Sequence, residues 1–379
     1  MATLPKSRWV DWAAAYLVLG QIQALSVVDR VLYGEWMAKP GDKLTQIMNI
    51  LQIVVSVALF CRGLKYWSNL RKGGTISILL AIFLISSAVW SINLGATERA
   101  GVNYLFFIIG AIGVAENLEG DDFMHLVAWV CFLSALASIV LLAISPANAF
   151  GGAGDFRGVF SQKNPLGEAM SIGALASLHG LRVSKRKRLF NISALLVTIF
   201  LTFKSGSATS LLAIFLFGSL GVAMRLLQKG GTARAIAITG IGILLPVAFI
   251  AAFNSDYLLT MLGKDPTLTG RTDIWGYVIL DIYERPLLGW GYQAFWSTEN
   301  PAAYEISDAL HWWVPQAHSG MLEILLSVGL TGAGFFIYVW GRTVWLSLKC
   351  LRTSESAVAI TCLCICAGAV LVEIGRAHV

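Results

Sequence analysis

Residues 123–146, FMHLVAWVCFLSALASIVLLAISP, contain no Asp, Glu, Lys or Arg. A membrane-spanning helix needs about 20 predominantly apolar residues, so this stretch predicts a transmembrane helix, and similar runs recur along the chain. Over its 379 residues the sequence is 56% hydrophobic and only 13% charged, whereas soluble domains are about 25% charged. The composition therefore predicts an all-α, polytopic integral membrane protein.

Apolar runs of this kind predict about eleven spans. They lie at residues 12–28, 44–61, 75–91, 102–115, 123–146, 164–181, 189–203, 210–224, 235–253, 319–340 and 356–373. If the N-terminus is cytoplasmic, most Lys and Arg residues fall in the inner loops 62–74, 182–188, 225–234 and 341–355, as the positive-inside rule requires. The net charge of +6 thus reflects topology, and the bilayer is the expected partner instead of nucleic acid.

These spans predict one membrane domain over residues 1–373, with a large outer loop at 254–318. Residues 373–379 are similar to a translated sequencing adapter and are interpreted as a non-native tail. A restored C-terminus would then supply a twelfth span.

Three short polar runs, at residues 156–164, 269–273 and 316–320, all fall on the predicted outer side. In the first run, Asn164 followed by Pro165 predicts a helix start, with Asn as the N-cap and Pro at the first helical position. Arg157 and Lys163 lie just before it. A helix N-terminus beside two cations suits an anion such as phosphate. The alternative is that both side chains reach towards lipid headgroups.

The second run contains Arg271, at the start of a predicted amphipathic helix at the membrane interface. Its apolar face comprises Ile274, Trp275, Val278, Ile279 and Ile282. A cation at a helix N-terminus opposes the helix dipole, so the position of Arg271 indicates either a functional role or a local pair with Asp265 or Asp273.

Five of the thirteen tryptophans lie in the loop that contains this helix, together with Tyr292 and Phe295. They are Trp275, Trp290, Trp296, Trp312 and Trp313. Aromatic residues at a membrane surface form an interfacial belt, or they offer a platform on which sugar rings stack. Both interpretations stay open at this point.

The third run contains His318, followed by Ser319 as a predicted N-cap for the tenth span. A neutral imidazole accepts a proton near neutral pH, as a general base should. Acidic and histidine residues do not occur at metal-ligand spacing in the sequence, so a reaction without metal or other cofactor is expected.

Taken together, these runs resemble motifs of the O-antigen ligase and polymerase superfamily, particularly its ExoQ-like exopolysaccharide polymerase branch. The runs are residues 156–164, 269–275, 286–292 and 317–323, which read FRGVFSQKN, TGRTDIW, PLLGWGY and AHSGMLE. Ser319 departs from the pattern, because many relatives have Asn after the histidine.

The resemblance implies a GT-C-like membrane glycosyltransferase in a bacterial inner membrane, so that the outer loop at 254–318 would be periplasmic. Such enzymes take a glycan from an undecaprenyl diphosphate carrier at the periplasmic face and join it to an acceptor sugar hydroxyl. Arg157 and Arg271 would bind the diphosphate and His318 would activate or orient the acceptor. The implied substrate-binding residues are Lys163, Asn164, Trp275, Trp290, Tyr292 and Glu323.

The acceptor distinguishes polymerisation of repeat units from ligation to lipid A core, and the motifs do not separate these two reactions. Polysaccharide export or chain-length proteins are further expected partners of such an enzyme. An anion transporter of bicarbonate type is a second alternative, although it would place charges along the bilayer midplane. A scaffold for an export complex is the third.

Overall fold

The computed structural model describes residues 7–25, 43–64, 67–151, 154–229, 231–236, 238–240, 271–350 and 358. Within these ranges the chain is helical apart from loops and one isolated antiparallel bridge between Phe150 and Phe156. The main helices are α1 (Arg8–Gln21), α2 (Lys43–Gly63), α3 (Trp67–Ser86), α4 (Leu94–Asn117), α5 (Gly120–Ile144), α6 (Lys163–Val183), α7 (Arg188–Ser205), α8 (Ala208–Lys229), α9 (Arg271–Glu284), α10 (Pro301–Leu310) and α11 (Gly320–Cys350). A 3₁₀ turn, Ser87–Trp90, follows α3, and a single helical turn, Pro146–Ala149, follows α5.

The helices confirm the prediction of an all-α, multi-pass membrane protein. Among the described residues, six helices are long and apolar enough to cross a membrane, with α5 the most apolar. The predicted spans fall on α1 to α8 and on α11 wherever the structure describes them. The predicted spans at 235–253 and 356–373, and residues 254–270 of the predicted loop, lie mostly or wholly outside the described residues. The single-domain boundary, the span count and the tail at 373–379 stay predictions.

The chain divides into two compact units. Unit 1 comprises Met1–Ile78, Asn103–Phe215 and Ser347–Ile365. Its core packs α5, α6 and α7 together. The helices approach closely at small residues: a Cβ added at Gly173 of α6 would lie 2.5 Å from Cβ of Cys131 on α5. Such close packing stabilises helix pairs in lipid, where the hydrophobic effect between helices is lost.

Unit 2 comprises Leu79–Val102, Leu216–Leu346 and Cys366–Val379. Its core joins α9, α10, the start of α11 and the loops between them. The buried residues of this core include Ile274, Val278, Trp290, Phe295, Ile306, Ala317 and Leu326. Helices too short to span a membrane therefore have their own apolar core.

Helix α11 is broken at Gly329, whose φ of 62° and ψ of −165° are not helical. The break frees backbone groups, which bond to residues 286–291. Leu330 N donates to Pro286 O at 2.8 Å and Thr331 N to Leu287 O at 3.1 Å, while Trp290 N and Gly291 N donate to Leu326 O and Ser327 O, each at 2.9 Å. Only glycine fits here, because a Cβ on Gly329 would lie 2.4 Å from Leu287 O.

Candidate active site

The side chain of Glu323, in the first turn of α11, holds the loop before that helix. Its Oε1 accepts a short hydrogen bond from the backbone N–H of Ala317 and a second bond of 2.9 Å from the indole N–H of Trp296. Hydrogen bonds to carboxylates are stronger than neutral ones. The Ala317 carbonyl in turn accepts from the indole N–H of Trp275 at 2.9 Å. Both backbone groups of Ala317 are therefore fixed by side chains from other segments.

His318 follows this fixed residue and has a left-handed backbone, with φ of 53°. Non-glycine residues rarely adopt this conformation, and when they do they cluster at functional sites. The ring is half-buried, and its Nδ1 lies 3.5 Å from Nε2 of Gln316. Residues 316–319 are called the His318 turn below. α11 begins at Gly320, and Glu323 N donates to Ser319 O at 2.9 Å, so Ser319 lies where the N-cap was predicted.

Helix α9 contributes Trp275 to the His318 turn, and its described part begins at Arg271. The side chain of Arg271 lies outside the described part of the chain. Ile274 and Val278 are fully buried against the core of unit 2, so the prediction that this face lies on the membrane was wrong for both. Ile279, on the same predicted apolar face, is 42% exposed.

Trp290 and Tyr292 lie in the loop that pairs with the break in α11. Trp290 is 7% exposed, its indole donates to the Asp281 carbonyl at 3.0 Å, and the guanidinium of Arg285 lies 4.1 Å from its ring centroid. The half-buried Tyr292 donates its backbone N–H to Oγ of Ser87 at 3.0 Å. These contacts give both residues a structural function, and their sugar contacts stay predictions.

The five clustered tryptophans differ in exposure. The indole N–H groups of Trp275, Trp290 and Trp296 all bond inside unit 2. Trp312 and Trp313 are each 44% exposed. Only these last two therefore present large surfaces suited to the interfacial belt or to a stacked sugar.

Asp281, on α9, has the most strongly shifted pKa among the residues near the candidate site. Burial, together with the negative charges of Glu284 and Glu305, raises the pKa of Asp281 to about 6. Because burial disfavours the charged form, this carboxyl titrates far closer to neutrality than an exposed one.

Arg157 lies in unit 1 and is 3% exposed, which contradicts its predicted position on a wet rim. Its neighbours Phe156 and Phe160 belong to the apolar core and carry the arginine inward. The backbone is fixed as well, because Arg157 N and Gly158 N both donate to Ala149 O, at 3.0 and 3.1 Å. Burial lowers the pKa of the Arg157 guanidinium below its ordinary value. A buried cation in such a rigid segment is expensive, which is typical of functional groups.

Lys163 and Asn164 lie in the first turn of α6, two positions further into the helix than predicted. The N-cap is Gln162 and its side chain makes no capping bond, so the assignment of Asn164 as N-cap was wrong. Pro165 still lies in the first turn, where its missing N–H costs nothing. Lys163 Nζ forms an ion pair of 3.0 Å with Asp155. Among the described residues, Oδ1 of Asn164 is buried without a hydrogen-bond partner.

The structure thus brings Trp275, Glu323 and the His318 turn together in unit 2, and places Arg157, Lys163 and Asn164 in one segment of unit 1. Sequence reasoning missed Trp296 as the second donor to Glu323. It also missed Gly329, although a glycine inside an apolar span is a known signal of a break or a close approach.

Comparison with known proteins places most of these residues in a recognised region. Residues 190–337 match the family model described as O-Antigen ligase, and this range contains Arg271, Trp275, Trp290, Tyr292, His318 and Glu323. The chain is also 28% identical, over 295 residues, to the exopolysaccharide production protein ExoQ of Rhizobium meliloti (strain 1021). That match covers 72% of this chain and 65% of the relative, so the chain spans slightly less than two thirds of the relative's length. Both comparisons confirm the similarity to the O-antigen ligase superfamily and its ExoQ-like branch.

Proposed function

We propose that this protein is a membrane glycosyltransferase that polymerises undecaprenyl-diphosphate-linked glycan units at the periplasmic face of a bacterial inner membrane. The observation that carries the proposal is the rigid His318 turn. A carboxylate, two indoles and a helix start hold the residue before His318 in one geometry. Catalytic groups need this kind of support, because small displacements of a general base cost much of its rate.

His318 acts as the general base on the acceptor sugar. If the Gln316 amide presents its oxygen to Nδ1–H, Nε2 is the nitrogen that accepts the proton. Exchanging the oxygen and nitrogen of a side-chain amide leaves its shape unchanged, so the hydrogen-bond network decides which atom faces the ring. Glu323 is a positioning residue, because its carboxylate binds the backbone N–H of Ala317, the residue before the histidine.

The bond changes balance without an added reactant. The acceptor hydroxyl oxygen forms a bond to the anomeric carbon of the donor while the bond from that carbon to the diphosphate breaks. The hydroxyl proton passes to His318, and the undecaprenyl diphosphate leaves with the bonding electron pair. We propose that Arg271 stabilises negative charge on the diphosphate, as preorganised cations do in other transferases. For unit 1 we propose separately that Arg157 binds a phosphate group of the substrate, with Lys163 in support. Metal independence is part of the same proposal.

Support for a polysaccharide substrate comes from the matched family region and from the relative's printed name. The test uses the purified protein in lipid vesicles with undecaprenyl-diphosphate-linked repeat units as sole substrate. Products are resolved by size, with and without a chelator. A ladder of longer lipid-linked glycans that survives chelation supports the proposal. If glycan is transferred only after lipid A core is added, the protein is a ligase. No transfer to either acceptor overturns the proposal.

A further inference from the structure

Helix α9 has a second stripe of apolar residues, and the described part of the chain leaves this stripe exposed. Ile274 and Val278 are buried in unit 2, but Leu280 is 64% exposed and Tyr283 is 76% exposed. The stripe continues past the helix end to Leu287, which is 64% exposed, and Leu288, which is 42% exposed. An exposed apolar stripe of this kind is typical of a surface that contacts a membrane or another protein, whereas the sequence places this segment in a periplasmic loop.

The pairing with α11 gives the depth of this stripe. Leu287 O bonds to Thr331 N, and Thr331 precedes Arg342, the first basic residue of the predicted inner loop, by 11 residues. At about 1.5 Å per helical residue, this distance is about 17 Å. The hydrocarbon of a bilayer is about 30 Å thick. Leu287 therefore lies well inside the hydrocarbon if Arg342 marks its inner edge.

Helix α3 gives a second, independent measure of depth. Phe83 follows Lys72, the last basic residue before the apolar part of α3, by 11 residues, which is again about 17 Å of helix. The Phe83 ring stacks on Phe335 at 5.5 Å and approaches Gly332, one residue from Thr331. Thr331 of α11 and Phe83 of α3 therefore each lie about 17 Å along their helix from the basic residue expected at the inner membrane edge.

Most backbone polar groups of residues 286–291 have a protein partner, which lowers the cost of placing the loop in lipid. Besides the four bonds to residues 326–331, the Leu288 carbonyl accepts from the indole N–H of Trp90 at 2.9 Å. The Trp290 carbonyl accepts from Ile92 N at 3.0 Å, and Gly289 N donates to Arg285 O at 3.0 Å.

Arg285, directly before this loop, is an exposed cation that has partners in unit 2. Its guanidinium lies 4.1 Å from the Trp290 ring centroid, and its Nη1 donates to the Trp90 carbonyl at 3.4 Å. A cation over an indole face is stabilised most where water is excluded. The charge is therefore compatible with a position at the membrane boundary.

We propose that residues 286–291 form a re-entrant loop that dips into the bilayer hydrocarbon beside α11, with Leu287 and Leu288 in contact with lipid acyl chains. The occupant of this exposed face is the bilayer itself, because the face continues the lipid-contacting surface of α11, where Ile337 is 54% exposed. The proposal concerns the position of the loop and does not depend on the proposed transferase activity.

The test measures the depth of nitroxide labels in the full-length protein in phospholipid vesicles. Single cysteines replace Leu287, Ile337 and Asp308 in turn, in a background whose six cysteines are changed to alanine. Ile337 is the hydrocarbon reference. The exposed Asp308, on α10, is the aqueous reference. Collision rates with oxygen and with a water-soluble nickel chelate report the depth of each label.

We expect the Leu287 label to favour oxygen over nickel, as the Ile337 label does. A Leu287 ratio nearer to that of Asp308 overturns the proposal. A second label at Leu288 controls for local distortion, because a label that merely displaces the loop at one position would not give hydrocarbon values at both. Aqueous values at both positions overturn the proposal as well.

Discussion

Replacement of Gly329 by alanine tests the break in α11 most severely. Gly329 has φ of 62° and ψ of −165°, a region that essentially only glycine occupies, so a side chain there costs about 1–3 kcal/mol. The new Cβ would also lie 2.4 Å from backbone atoms of Leu287. If the loop moves away, the bonds from Leu330 N and Thr331 N are lost, and each is worth about 0.5–1.5 kcal/mol. We therefore expect Gly329→Ala to lower the free energy of unfolding by about 2–6 kcal/mol.

Gly334 provides the matched control on the same helix, because nothing lies within 4 Å of its added Cβ. Alanine at Gly334 should stabilise the protein by about 0.5–1 kcal/mol, the usual gain for Gly to Ala inside a helix. Thermal unfolding of both variants in one detergent, followed by intrinsic tryptophan fluorescence, compares them directly. The reasoning fails if Gly329→Ala melts at or above the temperature of Gly334→Ala.

Three further predictions concern the candidate site. Glu323→Ala should reduce activity and melting temperature more than Glu323→Gln. Alanine leaves the donors of Ala317 and Trp296 without their acceptor, at about 1–3 kcal/mol each, whereas glutamine keeps an acceptor oxygen. Equal effects of the two variants would contradict this. Trp275→Phe removes the hydrogen bond to the Ala317 carbonyl, which is worth about 0.5–1.5 kcal/mol, and should slow turnover about 2–10-fold. The melting temperature is the control, and an unchanged rate would exclude a positioning function. The pKa of Asp281, raised to about 6, lies above its unfolded value, so its protonation favours the folded state. The contribution of this one group to the free energy of unfolding is therefore fully present below about pH 4 and is lost as the pH rises through about 6. Asp281→Asn should remove this part of the pH dependence, and melting curves from pH 4 to 7 that match those of the parent would refute the assignment.

The membrane fold was predictable because lipid imposes strong constraints on sequence. A spanning helix must be long and apolar, and stretches such as residues 123–146 satisfy this condition so clearly that the helix follows. Helix α9 was predictable from periodicity. Which of its sides is buried was not, because Ile274 and Leu280 are equally apolar and only tertiary packing distinguishes them.

The candidate site was predictable in part. The motif around residues 317–323 identified His318 and Glu323, but the function of Glu323 depends on a bond to a backbone amide and on a contact with Trp296, 27 residues away along the chain. The burial of Arg157 was not predicted, although its aromatic neighbours carried the signal. Phe156 and Phe160 lie in the apolar core and bring the backbone of Arg157 with them, which the charge of the arginine alone does not show.

The break at Gly329 illustrates the same limit. A glycine in a span is ambiguous in sequence, because Gly334 lies in regular helix and Gly329 does not. What distinguishes them is the backbone of a segment about 40 residues earlier, and long-range backbone pairing leaves no periodic signal in either segment.

The most direct test of the proposed function compares two histidines in the same loop. His318 and His311 both have left-handed backbones, with φ of 53° and 62°, and asparagine tolerates that conformation well. Each is replaced by asparagine, and ladder formation from lipid-linked repeat units is measured in vesicles. We expect His318→Asn to lose about 10²–10⁴-fold in rate, the usual worth of a general base, while His311→Asn keeps the parent rate. A His318→Asn variant that polymerises as fast as His311→Asn would contradict the account.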